Sequence, residues 1–316
     1  MINLRYHIVS LVAVFLALAL GMVVGGTVLN EGTGRAQRAF SELLRKESQQ
    51  TQADNSALRA QVTHYKDFGE KVLPLLVRDK LKGRSVVLID TDRVDDTTRS
   101  SVIDAVRAAG ATVSGRLTFS SERVDLAAQD DRTRLSQVLG LPTGDPDVLR
   151  TAMIEQFTAR LTLPAKLPRN DPDRPRDMIT ALSDAKFFAD VNLPAQVRDG
   201  GEDFPKAGSL FVIIGPTDGS SVPPPKSFLV PLTDRLSARS PAPVAGVESQ
   251  TGVSWVQTLR GDKEITQRVS TVDDVDAVYG QVALVDAFAL QLANQPPGQY
   301  GFKQDSTGLL PEGGPA

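Results

Sequence analysis

Residues 82–119 read KGRSVVLIDTDRVDDTTRSSVIDAVRAAGATVSGRLTF, and this stretch decides the fold. The apolar run Val86–Ile89 predicts a buried strand, and the residues Asp95-Asp96-Thr97 that follow it are typical of a helix start. Apolar residues at helical spacing come next, Gly110 ends the helix, and Thr112–Phe119 is typical of a second strand. Because a strand, a crossover helix and a strand pair in parallel, we predict an α/β, Rossmann-like domain with a parallel sheet.

The same strand-helix-strand pattern recurs later in the chain. It consists of SLFVIIG at 209–215, a helix within 226–239 and PVAGVES at 243–249, and further helices are predicted at 133–139, 146–161 and 281–294. A proline-punctuated stretch between the two halves is predicted to be an insertion, and its prolines are Pro164, Pro168, Pro172 and Pro175. The sequence therefore predicts one α/β domain over residues 78–295, followed by a flexible Gly/Pro-rich tail at 296–316.

Two acidic segments are the candidate ligand sites. Asp90 and Asp92, with the helix-start pair Asp95 and Asp96, follow the first strand, where open α/β sheets place ligands and where carboxylates suit a hard cation such as Mg²⁺. The alternative is that the pair at 95–96 caps the helix while the first two are loop residues. A second segment, STVDDVDAVYG at 270–280, offers Asp273, Asp274 and Asp276 either as ligands or as a loop and helix start.

Composition excludes several classes of function. No Gly-rich phosphate loop follows either leading strand, which weighs against a nucleotide enzyme. The chain has no cysteine, and its two histidines, His7 and His64, precede the α/β domain, so thiolate sites and histidine-based triads are excluded there. The net charge of −3 argues against a nucleic-acid surface. We therefore expect no cofactor, no nucleic acid and no enzymatic activity.

The segment 33–77 before the domain is predicted to be a helical stalk. It contains Pro74 alone among prolines, and its heptad positions predict a weak coiled-coil seam that includes Leu44, Asn55, Leu58 and Val62. A buried asparagine at such a seam fixes register and the number of strands at some cost in stability. The alternative is a single solvated helix that folds back on its own domain.

The N-terminal segment 1–32 is predicted to be a transmembrane anchor. The uncharged run from Ile8 to Leu29 has 22 residues, which at about 1.5 Å per residue reaches about 33 Å, enough to cross a bilayer core. Ala17-Leu18-Ala19 leaves a cleaved signal peptide as the alternative. Gly21 and Gly25 have the GxxxG spacing at which two membrane helices pack closely, so we expect a homodimer through span and stalk. Flanking charges do not decide orientation, but a short N-terminal tail favours an extracytoplasmic domain.

Four segments together resemble a known family. INLRYHIVSLVAVFLALALGMVVG at the start, NSALRAQV in the stalk, STVDDVDAVYGQVALVDAFAL and the closing GQYG are similar to the actinobacterial MctB-type proteins, which are called copper transporters. This resemblance covers nearly the whole chain and implies a role in copper efflux or homeostasis across the envelope, with outer-membrane association as one possibility. SteB-like relatives instead imply control of a peptidoglycan hydrolase at the division septum. The partners would then be a SteA-type membrane protein and the hydrolase's coiled coil.

The residue types in the sequence fit the scaffold role better than the copper-transport role. Copper(I) prefers thiolate, thioether and imidazole ligands, and beyond the stalk the sequence offers only Met153 and Met178. A single membrane helix also cannot by itself form a path for an ion across the bilayer. A dimeric membrane-anchored scaffold requires nothing that the sequence lacks.

Overall fold

The computed structural model describes residues 4–142, 144–167, 177–219, 222–250 and 254–312. Most of the predicted proline-punctuated insertion, including Pro168, Pro172 and Pro175, lies outside these residues. The chain divides into two compact units, Met1–Tyr65 and Lys66–Ala316.

The helices and strands alternate through most of the second unit. The helices are α1 Leu4–Val77, α2 Asp96–Ala108, α3 Ser121–Asp125, α4 Gln129–Leu139, α5 Pro146–Leu161, α6 Met178–Asp184, α7 Ala195–Arg198, α8 Leu229–Arg239, α9 Trp255–Arg260, α10 Lys263–Thr266 and α11 Val278–Leu292. The strands are β1 Ser85–Thr91, β2 Thr112–Phe119, β3 Ala165–Lys166, β4 Phe188–Asn192, β5 Asp203–Phe204, β6 Leu210–Ile214, β7 Val244–Val247, β8 Val269–Val272 and β9 Gln299–Tyr300.

Seven strands form the main sheet in the order β4-β2-β1-β6-β7-β8-β9. All neighbours pair in parallel except β4, which runs antiparallel to β2 at one edge. In register, Val87 of β1 lies between Gly115 of β2 and Phe211 of β6. The predicted α/β class is thus confirmed, with a sheet that is mostly parallel; β3 and β5 form a separate two-stranded pair.

Both faces of the sheet are buried, as is typical of parallel strands covered by helices. Val87 and Ile89 face the core formed with α5, α8 and α9, while Val86 and Leu88 face the core formed with α2, α11 and the end of α1. Residues 280–289 of α11 are buried all round, which agrees with the apolar character of that whole segment. The result is a three-layer α/β/α unit.

The strand-helix-strand predictions are confirmed at β1-α2-β2 and at β6-α8-β7. Two predictions are corrected. The start of STVDDVDAVYG is a strand, because Val269–Val272 pairs with β7 and is fully buried. The segment expected to be a flexible tail contains β9, whose Gln299 and Tyr300 pair with β8.

In the first unit, His7–Gly25 of α1 is long and apolar enough to cross a membrane, with a mean hydropathy of 2.7 over 19 residues and no burial within the chain. This agrees with the predicted anchor in length and composition. It is the N-terminal part of the helix that also carries the predicted stalk.

Candidate functional site

The carboxyl ends of the parallel strands meet at one edge of the sheet, and this edge carries the acidic residues that the sequence singles out. Open α/β sheets bind ligands at this edge, in the crevice between two neighbouring strands whose connections run to opposite sides of the sheet. In this sheet that position lies between β1 and β6, because β2 flanks β1 on its other side.

At the end of β1, Asp90 is a buried strand residue. Its Oδ2 accepts a hydrogen bond from Arg99 Nε at 2.6 Å. Burial raises the pKa of Asp90, and the hydrogen bond from Arg99 partly offsets that rise. The alternative that Asp90 is a loop residue is therefore wrong, since the strand continues through Thr91.

The neighbouring aspartates cap helices. Asp95 is the N-cap of α2, and its Oδ1 accepts a hydrogen bond from the Thr98 amide at 2.7 Å, which confirms the capping alternative for Asp95. Asp96 is the first residue of the helix, and its carboxylate pairs with Arg99. Burial alone would raise the pKa of Asp95, but the hydrogen bonds from Thr98 and Thr217 outweigh it and the pKa is lowered. Asp92 is exposed, and its Oδ1 accepts from the Ser121 amide at 3.0 Å.

The crevice between β1 and β6 is closed by direct contacts between the two loops that border it. The Thr217 amide donates to the Arg93 carbonyl at 2.9 Å, and Thr217 Oγ1 accepts from the Asp95 amide at 2.8 Å. Arg93 Nη1 also lies 3.4 Å from Asp218 Oδ2. These contacts join the loop after β1 to the loop after β6.

Trp255 closes the next position along the same edge. The ring is fully buried against Gly215, where a Cβ would overlap it, and its Nε1 donates to the Val247 carbonyl at 3.0 Å. Only glycine fits beneath the indole at that point.

At the end of β8, Asp273 forms a completely buried ion pair with Arg260. Arg260 Nη1 donates to Asp273 Oδ2 at 2.9 Å, and both side chains are 0% exposed. The same guanidinium donates from Nε to Thr271 Oγ1 at 2.8 Å and from Nη2 to the Tyr300 carbonyl at 2.7 Å. Arg260 therefore joins α9, β8 and β9.

The segment Tyr300–Gln304, which we call the C-terminal strap, is fastened across this edge by charged groups. The amides of Phe302 and Lys303 donate to the Asp273 carboxylate at 2.8 and 3.2 Å. Lys303 Nζ donates to Glu248 Oε1 at 2.8 Å at the end of β7. The strap covers the end of the sheet formed by β7 and β8.

Two glycines make the close approaches possible. A Cβ on Gly301, whose φ is +128°, would overlap the Asp273 carboxylate. A Cβ on Gly280 would overlap the Asp274 carbonyl. Glycine at 301 allows GQYG to pack against STVDDVDAVYG, which lies apart from it in the sequence, and glycine at 280 allows the start of α11 to lie against the loop that follows β8.

Asp274 is a buried carboxyl group beside the Asp273–Arg260 pair. Its backbone is left-handed, with a φ of 62°. Burial, a hydrogen bond with Asp273 and the charges of Asp273 and Asp276 raise its pKa to about 7. Burial and the adjacent Asp274 in turn raise the pKa of Tyr279 to about 12. Asp276 Oδ1 accepts from the Gln250 amide at 3.0 Å and so fixes the loop after β7.

The structure thus brings together Asp273, Asp274 and Asp276 but places Asp90 and Asp92 in a separate network. Arg260, Glu248 and Lys303 also take part in the ion pairs of this edge, and no sequence pattern had indicated them. The second glycine of GQYG, Gly301, provides the close approach to Asp273. The chemistry of the edge is mutual charge pairing between elements, which holds the ends of the strands closed.

The donor set does not fit a copper(I) site in the α/β unit. In the described part of the chain, no three His, Cys, Asp or Glu side chains lie together in a way that would hold a metal ion. Met153 is a core residue, and Met178 packs against the same core. Copper(I) would therefore find neither a thiolate nor an accessible thioether cluster in this unit.

The predicted interaction residues lie on open surface of α1. A Cβ on Gly21 or Gly25 would contact nothing within 4 Å. Leu44, Leu58 and Val62 are 49%, 58% and 66% exposed, and Asn55 is exposed as well. Their placement on one exposed helix is compatible with a seam, but pairing with another helix stays a prediction.

Fold and edge together define a class: an α/β unit with a closed ligand edge, in a chain whose N-terminal helix is long and apolar enough to span a membrane. The family described as "Copper transport outer membrane protein, MctB" matches residues 1–311, and the chain belongs to this family. The Copper transporter MctB of Mycobacterium tuberculosis (strain H37Rv) is 28% identical over 318 residues, 95% of this chain and 96% of the relative. The protein of the same name from Mycobacterium leprae is 28% identical over 322 residues, 98% and 99% of the two chains.

Proposed function

We propose that the protein is a single-pass membrane protein of the cell envelope that takes part in copper efflux or homeostasis, with its α/β unit on the extracytoplasmic side. The observation that carries this proposal is the family match over residues 1–311, which includes the apolar helix His7–Gly25. The names of the mycobacterial relatives, which cover almost all of this chain, point to the same process.

We infer that the protein acts in this process as an assembly component and not as a copper carrier. The α/β unit lacks the soft ligands that copper(I) prefers, and one helix cannot enclose a path across a bilayer. A homodimer joined through Gly21, Gly25 and the stalk, or a complex with other membrane proteins, would supply what one copy lacks. The closed crevice at β1 and β6 supports a role without catalysis.

The exposed stalk residues favour a second candidate function. Leu44, Leu58 and Val62 present apolar side chains to solvent on α1, which suits a coiled-coil scaffold at the division septum that controls a peptidoglycan hydrolase. Its partners would be a SteA-type membrane protein and the coiled coil of the hydrolase, as the resemblance to SteB-like proteins implies.

Complementation separates the two functions. In a mycobacterium that lacks its own relative of this chain, we expect wild-type protein to restore growth in elevated copper and to return cell-associated copper to the parental level. A variant with residues 1–32 replaced by a cleavable signal peptide serves as the matched control and should fail. Unchanged copper tolerance together with chained, unseparated cells in the deletion strain would contradict the copper role and support the scaffold.

A further inference from the structure

The last turns of α1 show where a coiled coil on this helix has to end. One of the two rows of the predicted seam, which we call the asparagine row, consists of Ser41, Ser48, Asn55, Val62 and Gly69. A Cβ on Gly69 would lie 2.8 Å from Val278 Cγ2 of α11. The seam position at Gly69 is therefore covered by the chain itself, and Leu73 and Val77 in the following turns are buried in the core of the α/β unit. A partner helix cannot follow the seam past Gly69.

Before Gly69 the seam is open to solvent. Its apolar members Leu58, Val62 and Tyr65 are 58%, 66% and 76% exposed. Apolar side chains that recur at heptad spacing along an exposed helix are typical of a helix that pairs with another helix. The open part of the seam therefore runs from Ser41 to Tyr65.

Asn55 lies in the middle of the open part and is exposed. In a parallel, in-register pair of identical helices each member of the asparagine row faces its own counterpart, so Asn55 of one copy meets Asn55 of the other and the two amides can hydrogen-bond. In an antiparallel pair, or in a pair shifted by one heptad, Asn55 would face a residue such as Leu58 or Val62, which has no hydrogen-bonding side chain. The asparagine thus favours two copies in parallel and in register.

The charges beside the seam favour the same arrangement. Asp54 and Arg59 are exposed and flank the seam on opposite sides. In a parallel, in-register pair a residue on the first flank lies beside the residue five positions later on the partner, so Asp54 of each copy lies beside Arg59 of the other. Among the residues that the structure describes, neither forms an ion pair within its own chain, and Asp54 Oδ1 accepts a hydrogen bond from Gln50 Nε2 at 3.0 Å. A second copy therefore supplies the opposite charge on both sides of the seam.

We propose that residues 41–65 form a parallel, in-register coiled coil with a second copy of this chain, and that this coil ends at Gly69. Asn55 pairs with its counterpart, Asp54 pairs with Arg59 of the other copy, and beyond the coil each helix packs on its own α/β unit. This inference rests on the homodimer of the proposed function and names its register and its limit. The partner is a second copy because one sequence supplies both members of the amide pair and of the charge pair.

Single cysteines test the register, because the chain has no cysteine of its own. Ser48→Cys, Asn55→Cys and Val62→Cys place one thiol in the asparagine row in three successive heptads. In the full-length chain in detergent, a short bis-maleimide should join two copies in each of these three variants. In an antiparallel pair only one position can face its own counterpart, and in a shifted register none does. Cross-linking of at most one variant would overturn the proposal.

Two further cysteines serve as controls for the face and for the end of the coil. Ala60→Cys lies on the side of the helix opposite the seam, and Leu76→Cys lies in the asparagine row one heptad beyond Gly69. We expect no cross-link in either variant. Efficient cross-linking through Leu76→Cys would show that the coil does not end at Gly69.

Charge reversal tests the pair beside the seam. Asp54→Arg and Arg59→Asp should each weaken association of the full-length chain in detergent sedimentation about tenfold, because each turns two attractive contacts into repulsive ones. The double variant should restore association, and a double variant as weak as the single ones would overturn the pairing. Copper tolerance of the complemented strain is scored separately. Cross-linking as expected without any effect on copper tolerance would contradict the proposed copper role alone, and restored tolerance without cross-links would contradict the coiled coil alone.

Discussion

Replacing Arg260 by methionine is the sharpest perturbation of the closed edge. The substitution Arg260→Met keeps much of the side-chain volume but removes three hydrogen bonds of 2.7–2.9 Å, to Thr271, Asp273 and Tyr300. Asp273 stays buried with only the strap amides to satisfy its charge. Removing one partner of a buried ion pair typically costs about 3–5 kcal/mol. For a unit of this size, that corresponds to a melting temperature lower by about 6–20 °C.

Urea unfolding of the full-length chain in detergent, followed by Trp255 fluorescence, measures this loss. Arg268→Met is the matched control, because Arg268 pairs with Asp234 where both side chains are about one-third exposed, and such a pair contributes less than about 1 kcal/mol. The double variant Arg260→Met with Asp273→Asn should lose less unfolding free energy than the two single variants together. The difference, which is the coupling energy between the two residues, should be about 2 kcal/mol. If Arg260→Met lowers the unfolding free energy no more than Arg268→Met does, the Arg260–Asp273 ion pair does not hold the edge closed.

Three further predictions concern other parts of the chain. We expect the mature protein to keep its N-terminal helix, so mass spectrometry of the membrane fraction should find an N-terminus before Ile8; a chain that starts near residue 20 would mean secretion. Leu58→Asp with Val62→Asp should abolish association of the full chain in detergent sedimentation, since it places charges in a weak seam, and should leave the unfolding of the α/β unit unchanged; unaltered association would show that the heptads are incidental. For Asp274, a pKa near 7 in the folded chain against about 3.8 unfolded means that the native state binds the proton more tightly, so unfolding free energy falls as pH rises from about 4 to 7. Asp274→Asn should therefore gain stability relative to wild type over that range, and parallel stability curves for the two proteins would contradict the shift.

Local patterns were enough to predict the layers of the fold. The strand-helix-strand units at β1-α2-β2 and β6-α8-β7 follow from apolar runs and caps that lie within a few residues of one another. β8 escaped prediction because its four residues merge with the acidic loop, and β9 because a two-residue edge strand carries no periodicity. The antiparallel edge strand β4 likewise depends on pairing that only the folded sheet defines.

The site was predictable only in part, for a related reason. The capping role of Asp95 is local and was foreseen, since the residue and the Thr98 amide it accepts from are three positions apart. The pairing of Arg260 with Asp273, and of Lys303 with Glu248, joins residues 13 and 55 positions apart through tertiary packing. No spacing rule along the chain specifies such partners.

Copper(I) binding by the full-length protein in detergent decides whether the chain handles the metal itself. Anaerobic competition against a chromogenic copper(I) chelator, with the protein titrated in known amounts, gives both stoichiometry and affinity. The absence of cysteine and the burial of Met153 predict no site tighter than about micromolar, equivalent to about 8 kcal/mol. A stoichiometric site of nanomolar affinity would contradict the role of an assembly component and make the protein a direct copper carrier.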